Sequence, residues 1–134
     1  METVNQIEYN GTLYNIQDAE AQKNLVYSQN EIDTGKIWID GKKIYRKVIN
    51  CGALQGDTLN TIPTNIMNME KVIKMTAMTT STAYNLTTPI PYTSVGGKKK
   101  VIYIQENNIY IHIDAVEELY DECFVVLEYT KTTN

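Results

Sequence analysis

The chain has 134 residues, 43% of them apolar and 21% charged, enough for one domain with its own core. A net charge of −4 argues against a general pull toward nucleic acid. No apolar run approaches the roughly 18–20 residues of a membrane-spanning helix, so membrane insertion is not expected.

The first residues, METVNQIEYNG, lack the basic and apolar regions of an export signal, and the expectation is folding in a reducing cytoplasm. Residues 7–16, IEYNGTLYNI, carry Asn10-Gly11 between short alternating runs, which predicts a hairpin with a type I′ turn. Residues 17–33 then change character. They hold no Gly or Pro, and their Ala, Gln, Glu, Lys and Leu favour helix, so a helix is expected, with Asp18 as its cap. Its apolar stripe of Ala21, Leu25 and Ile32 is narrow and needs packing on the body or on copies of itself. The composition boundary near residue 33 divides the chain into an N-terminal hairpin and helix (1–33) and a β domain (34–134).

Residues 36–49, KIWIDGKKIYRKVI, place two β-prone runs around Asp40-Gly41. A two-residue type I′ loop there predicts Ile37 opposite Ile44 and Lys36 opposite Tyr45, with Ile37, Ile39 and Ile44 on one face. Pro63 demotes 58–67 to an edge strand or a loop. Residues 70–79 alternate, Val72, Lys74, Thr76 and Met78 against Ile73, Met75 and Ala77. Residues 80–95, with Pro89 and Pro91, read as a long surface excursion. Gly96-Gly97 and lysines 98–100 read as a turn with a solvated basic tip. Residues 101–113 form a hairpin turning at or near Asn107-Asn108, with Ile109, Ile111 and Ile113 on one face and Tyr110 and His112 on the other. Residues 115–122 are a short helical turn or an acidic loop, and 123–131 a central strand. The expected fold is mainly β: an antiparallel β-sandwich or jelly-roll-like domain preceded by a short hairpin and one N-terminal α-helix.

The residues that would carry chemistry are sparse. His112 is the sole histidine and sits in an Ile-rich strand. Cys51 and Cys123 read as two partly buried thiols, with a disulfide between them as the alternative. Glu117, Glu118, Asp121 and Glu122 form an acidic cluster without the spacing of a calcium loop. No Gly-rich phosphate or dinucleotide loop is present. No catalytic, metal or cofactor-binding residue is therefore expected. The remaining lead is ten tyrosines, each a large amphipathic contact surface. Tyr84 and Tyr92, within the polar 80–95 segment, are the candidate ligand-binding residues.

Several phrases resemble tailed-phage and prophage virion proteins of the fibre or receptor-binding type. KIWIDGKKIYRKVI is similar to their W-x-(D/N)-G-K hairpin, which opens a C-terminal β domain. TNIMNMEKVIKMTAM at 64–78 and TTPIPYTS at 87–94 match in the same order, and VVLEYTKTTN at 125–134 resembles their L-E-Y-T-K-T-T ending. YNGTLYNIQDAEAQKNL at 9–25 is similar to a strand-to-helix entry of phage fibres. The resemblance implies a virion structural protein made in the host bacterial cytoplasm. It implies a homotrimer contacting other virion proteins and a host cell-surface glycan or protein, with loops 52–62 and 80–97 toward the receptor. Ala21, Leu25 and Ile32 would then pack about the three-fold axis. The alternatives are a capsid decoration or head-fibre protein with no receptor and, further off, a carbohydrate-active enzyme using carboxylates such as Glu106 and Asp114.

Overall fold

The computed structural model describes residues 6–9, 12–15, 26–114 and 120–132. Among these described residues eleven strands run in order β1 (Gln6–Tyr9), β2 (Thr12–Asn15), β3 (Ile32–Ile37), β4 (Lys43–Asn50), β5 (Leu59–Pro63) and β6 (Met69–Ser81). They continue as β7 (Leu86–Ile90), β8 (Tyr92–Thr93), β9 (Lys99–Gln105), β10 (Asn108–Ile113) and β11 (Glu122–Lys131). The described chain is thus mainly β. β1 and β2 pair with each other, Tyr9 opposite Thr12, which is the two-residue loop that Asn10-Gly11 predicts.

The body consists of two antiparallel sheets, β3-β4-β11-β6-β7 and β5-β10-β9-β8. Both contribute to one core. Ile109, Ile111 and Ile113 come from β10. Cys123, Val125, Leu127 and Tyr129 come from β11, with Ile49 of β4 and Ala77 of β6 beside them. The two alternating runs that look most β-like in the sequence therefore become the centres of the two sheets, because each offers a continuous apolar face at the strand period of two.

The helix expected over 17–33 fails where it can be checked. Residues 17–25 lie outside the described residues, but 26–31 are not helical and Ile32 opens β3. The edge of β4 wins this segment. The Val48 amide donates to the Ser28 carbonyl at 2.9 Å, and the Arg46 guanidinium donates to the Val26 carbonyl at 2.9 Å while lying over the Tyr27 ring. Ile32 therefore sits on a strand opposite Arg46 and shares no helical stripe with Ala21 and Leu25, which are themselves outside the described residues.

The 36–49 hairpin forms, but in a different register. Ile37 lies opposite Lys43, not Ile44. Gly41 alone takes a positive φ, +88°, while Asp40 does not, and its carboxylate accepts the Lys42 amide at 3.0 Å. The loop is a type I turn closed by a left-handed glycine, one residue longer than a type I′ loop, with the Gly41 amide on the Trp38 carbonyl. That single residue splits the expected aliphatic face: Ile39 is 91% exposed on the outside and Ile44, at 6%, is buried. A second shift occurs in β6, where Lys74 faces Glu128 but Val72 faces Tyr129, so Ile73 is a bulge and Val72 joins Met75 and Ala77 on the core side.

The 80–95 segment is not a surface excursion. β7 pairs with β6 and buries Thr88 and Ile90. At the cis Ile90-Pro91 bond the chain leaves the five-stranded sheet and enters the other as β8. Pro63 ends β5, an edge strand as its proline predicts. The third hairpin turns at Glu106 and Asn107, both at positive φ (49° and 67°), one residue earlier than Asn107-Asn108. Residues 115–119 lie outside the described residues.

Candidate functional site: a tyrosine platform on the four-stranded sheet

Tyr103 of β9 and Tyr110 of β10 are register partners, and their rings stack with centroids 5.0 Å apart at 18°. The strand period puts them on the face opposite Ile109 and Ile111, so they look away from the core, Tyr103 being 43% exposed. The registers extend this face into three rows. Leu59, His112 and Val101 line up in one, Thr61, Tyr110 and Tyr103 in the next, and Pro63, Asn108 and Gln105 in the third. The outcome is a surface with an aromatic centre and amide, hydroxyl and imidazole groups around it. Apart from His112, every side chain in these rows is uncharged. The imidazole is half-exposed and its Nδ1 lies 3.9 Å from Asp114 Oδ1, long for an ion pair even when protonated.

Tyr84 and Tyr92 are not brought together. Tyr84 is exposed on the β6–β7 turn, beside Asn85 at φ 51°. Tyr92 is half-buried on β8, and β7 separates the two by five extended residues, about 17 Å of chain. The ring of Tyr92 instead covers one side of Lys100, whose Nζ lies 5.3 Å from its centroid.

Lys100 also departs from its expected place at a solvated tip. It is 3% exposed, with Nζ 3.5 Å from the centre of the Tyr120 ring and donating to the Thr79 and Thr88 hydroxyls. Lys98 and Lys99 remain exposed. Alternation in β9 separates the neighbours: Lys99 points out, and Lys100 points between the sheets alongside Ile102 and Ile104.

Cys51, just past the end of β4, and Cys123 of β11 are free thiols, with the Cys51 amide on the Cys123 carbonyl at 2.8 Å. The Cys51 S–H donates to the Ile49 carbonyl at 3.9 Å. The neighbouring Cys123 sulfur, then burial, push the Cys51 thiol up, while the Cys51 thiol beside it holds Cys123 below its ordinary value. Of the acidic cluster, Glu117 and Glu118 lie outside the described residues and Glu122 opens β11. Asp121 accepts the Thr82 hydroxyl at 2.6 Å and the Thr82 amide at 2.9 Å, bonds that keep its carboxyl below the usual range. Glu106 and Asp114 stand at opposite ends of β10, roughly 20 Å apart along an extended strand, against the 5–10 Å that paired glycosidase carboxylates span. Among the described residues no group of three or more His, Cys, Asp or Glu is placed to hold a metal ion, and no helix is long and apolar enough to cross a membrane.

The platform was partly visible in the sequence, because alternation assigns Tyr110 and His112 to the face opposite the isoleucines. Its centre was not, since the pairing of Tyr103 with Tyr110 depends on the turn falling at Glu106 and Asn107. Comparison with protein-family models, with curated proteins and with solved structures finds no match.

Proposed function

We propose that the chain is a non-catalytic virion module of the phage fibre or receptor-binding type, a β-sandwich-like domain that presents the tyrosine platform to a glycan or protein on the host surface. The motifs of the fibre type, in their order along the chain, support the class. The stacked Tyr103–Tyr110 pair carries the assignment of the binding face. The outer face of the exposed Tyr103 ring, backed by Tyr110, matches the C–H face of a pyranose, while Asn108, Gln105 and Thr61 offer hydrogen bonds to its hydroxyls. A single such face binds weakly, and many copies on a particle raise the avidity without new contacts.

Glycan-array binding by the purified chain at high density tests this. Tyr103→Ala or Tyr110→Ala is expected to weaken binding at least tenfold, while Tyr84→Ala, on the distant turn, leaves it intact. A flat array and no binding to host cells would remove the receptor reading.

A capsid decoration or head-fibre role is the second reading, favoured by one observation: β1 and β2 pair only with each other among the described residues. A lone two-stranded hairpin is marginal in water and gains stability by docking. Deleting residues 1–25 is then expected to abolish particle attachment and leave the body folded. The deletion stops short of residue 33 because Glu31 and β3 belong to the five-stranded sheet's surroundings.

A further inference from the structure

We propose that Cys51 and Cys123 are an oxidation site: a small disulfide reacts at Cys51, and Cys123 closes the product into a disulfide between β11 and the end of β4.

The backbone brings the pair together. Phe124 lies opposite Asn50 and Val125 opposite Ile49, so the same register puts Cys123 opposite Cys51. The Cys51 amide on the Cys123 carbonyl makes theirs a hydrogen-bonded position. Residues opposed in this way have Cα atoms about 5.5 Å apart, inside the roughly 4.4–6.8 Å that a disulfide spans. Both side chains leave the sheet on the side of Ile49 and Val125, where Cys123 belongs to the core and Cys51 packs against it. The two sulfurs are near enough that each shifts the ionisation of the other. Cys51 is also the last paired residue on its side, because Gly52 follows at a φ of +67° and turns the chain away. A ladder end adjusts its backbone to the geometry of an S–S bond more readily than a ladder centre.

Exposure divides the roles. Cys123 is fully buried and Cys51 half-buried. A methyl group added at Gly52 would meet nothing within 4 Å, so the chain beside Cys51 is open to an incoming reagent. In the first step the Cys51 thiolate attacks one sulfur of a low-molecular-weight disulfide such as oxidised glutathione. A mixed disulfide forms at Cys51 and one thiolate leaves. In the second step the Cys123 thiolate attacks the Cys51 sulfur and expels the other half of the reagent as a thiolate. Two protein thiols are oxidised, the reagent is reduced to two thiols, and the two protein protons pass to them. Of the groups that hold Cys123 in reach of ionisation, the Cys51 thiol is spent in the first step and the Lys100 charge remains for the second. The chain has two cysteines in all, so no third thiol competes.

The bond staples two crossings between the sheets. Residues 51–58 carry the chain from β4 to β5, and Tyr120 stands just before β11. The Leu54 amide already donates to the Tyr120 carbonyl at 3.0 Å, and the Asp57 amide to the Ile113 carbonyl at 2.7 Å. The disulfide encloses residues 52–122, a long loop whose closure strongly restricts the unfolded chain. The assignment rests on the pair's geometry and stands apart from the virion reading. Under that reading the thiols stay reduced in the host cytoplasm and close after release into an oxidising medium.

Incubation of the full chain with excess oxidised glutathione at about pH 8, followed by intact-mass measurement, tests it. The expected product is a single chain about 2 Da lighter than the reduced one, with both thiols closed to alkylation after unfolding. Its thermal unfolding midpoint is expected to rise by about 10 °C and to fall back with dithiothreitol. Cys123→Ser is expected to stop with one glutathione on Cys51. Cys51→Ser, altered at the half-buried position, is expected to stay unmodified while native, its far-ultraviolet circular dichroism showing that it is folded. A one-glutathione adduct that persists on the unaltered chain, a disulfide-linked dimer, or two thiols left free would overturn the proposal. So would a folded Cys51→Ser chain that takes up glutathione.

Discussion

The Tyr129 hydroxyl donates to one carboxylate oxygen of Glu31 at 2.6 Å, and the Lys131 ammonium donates to the other at 2.8 Å. This three-residue contact ties the segment before β3 to the last strand, nearly the full length of the described body apart in sequence. The Tyr129 ring is fully buried and stacks on Tyr45 with centroids 6.2 Å apart. Segment 26–31 therefore belongs to the body, although its composition looks like the helix that was expected there.

Burial, then the bond to Glu31 and its negative charge, pushes the Tyr129 phenol well above its ordinary value of 10.0. A pKa raised on folding gives stability that is complete below about pH 10 and is lost as the pH climbs toward the folded value, because only the unfolded chain ionises there. Tyr129→Phe is expected to cost about 1–2 kcal/mol at pH 7 by leaving Glu31 one donor short. Its deficit should shrink between pH 9 and 11. Urea unfolding at both ends of that range checks this, and a constant deficit would speak against the linkage.

Lys100 is a buried cation held by two hydroxyls and two aromatic faces at the junction of β7, β8 and β9. Lys100→Ala removes the stem that fills this junction and strips Thr79 and Thr88 of a charged donor. The expected loss is roughly 2–4 kcal/mol, read as a fall in thermal unfolding temperature. Lys98→Ala, two residues away on the exposed turn, should change stability by less than about 0.5 kcal/mol.

Gly41 offers a clean measure of turn chemistry. A methyl group added there meets nothing within 4 Å, so the cost of Gly41→Ala comes from its φ of +88° alone. About 1 kcal/mol of destabilisation is expected. Equilibrium unfolding measures it, and an unchanged midpoint would mean that the turn relaxes to another loop type.

The two hairpins whose turns hold two residues illustrate what local sequence can carry. Asn10-Gly11 sets the β1–β2 register outright, and the isoleucines of β10 declare their face. The 36–49 hairpin shows the limit. Asp40-Gly41 suits two loops that differ by one residue, and the choice between them decides whether Ile37 and Ile44 share a face. Tyr84 and Tyr92 were candidates because a polar, proline-containing segment looks like a loop. The pairing of β7 with β6, made by residues such as Thr79 and Thr88, turned that segment into sheet.

Period-two alternation and turn-forming residues were sufficient, by themselves, for a β-rich chain, for the β9–β10 hairpin and for β11 as a central strand, and Pro63 narrowed β5 to an edge strand or a loop. These depend on side-chain direction and on φ preferences within a few residues. Only the tertiary structure decided the sheet to which each strand belongs, the bulge at Ile73, the burial of Lys100 and the stacking of Tyr103 on Tyr110. Each of these turns on partners far away in sequence. A one-residue shift exchanges the two faces of a strand, so the free energy that settles it comes from the assembled core rather than from the strand itself.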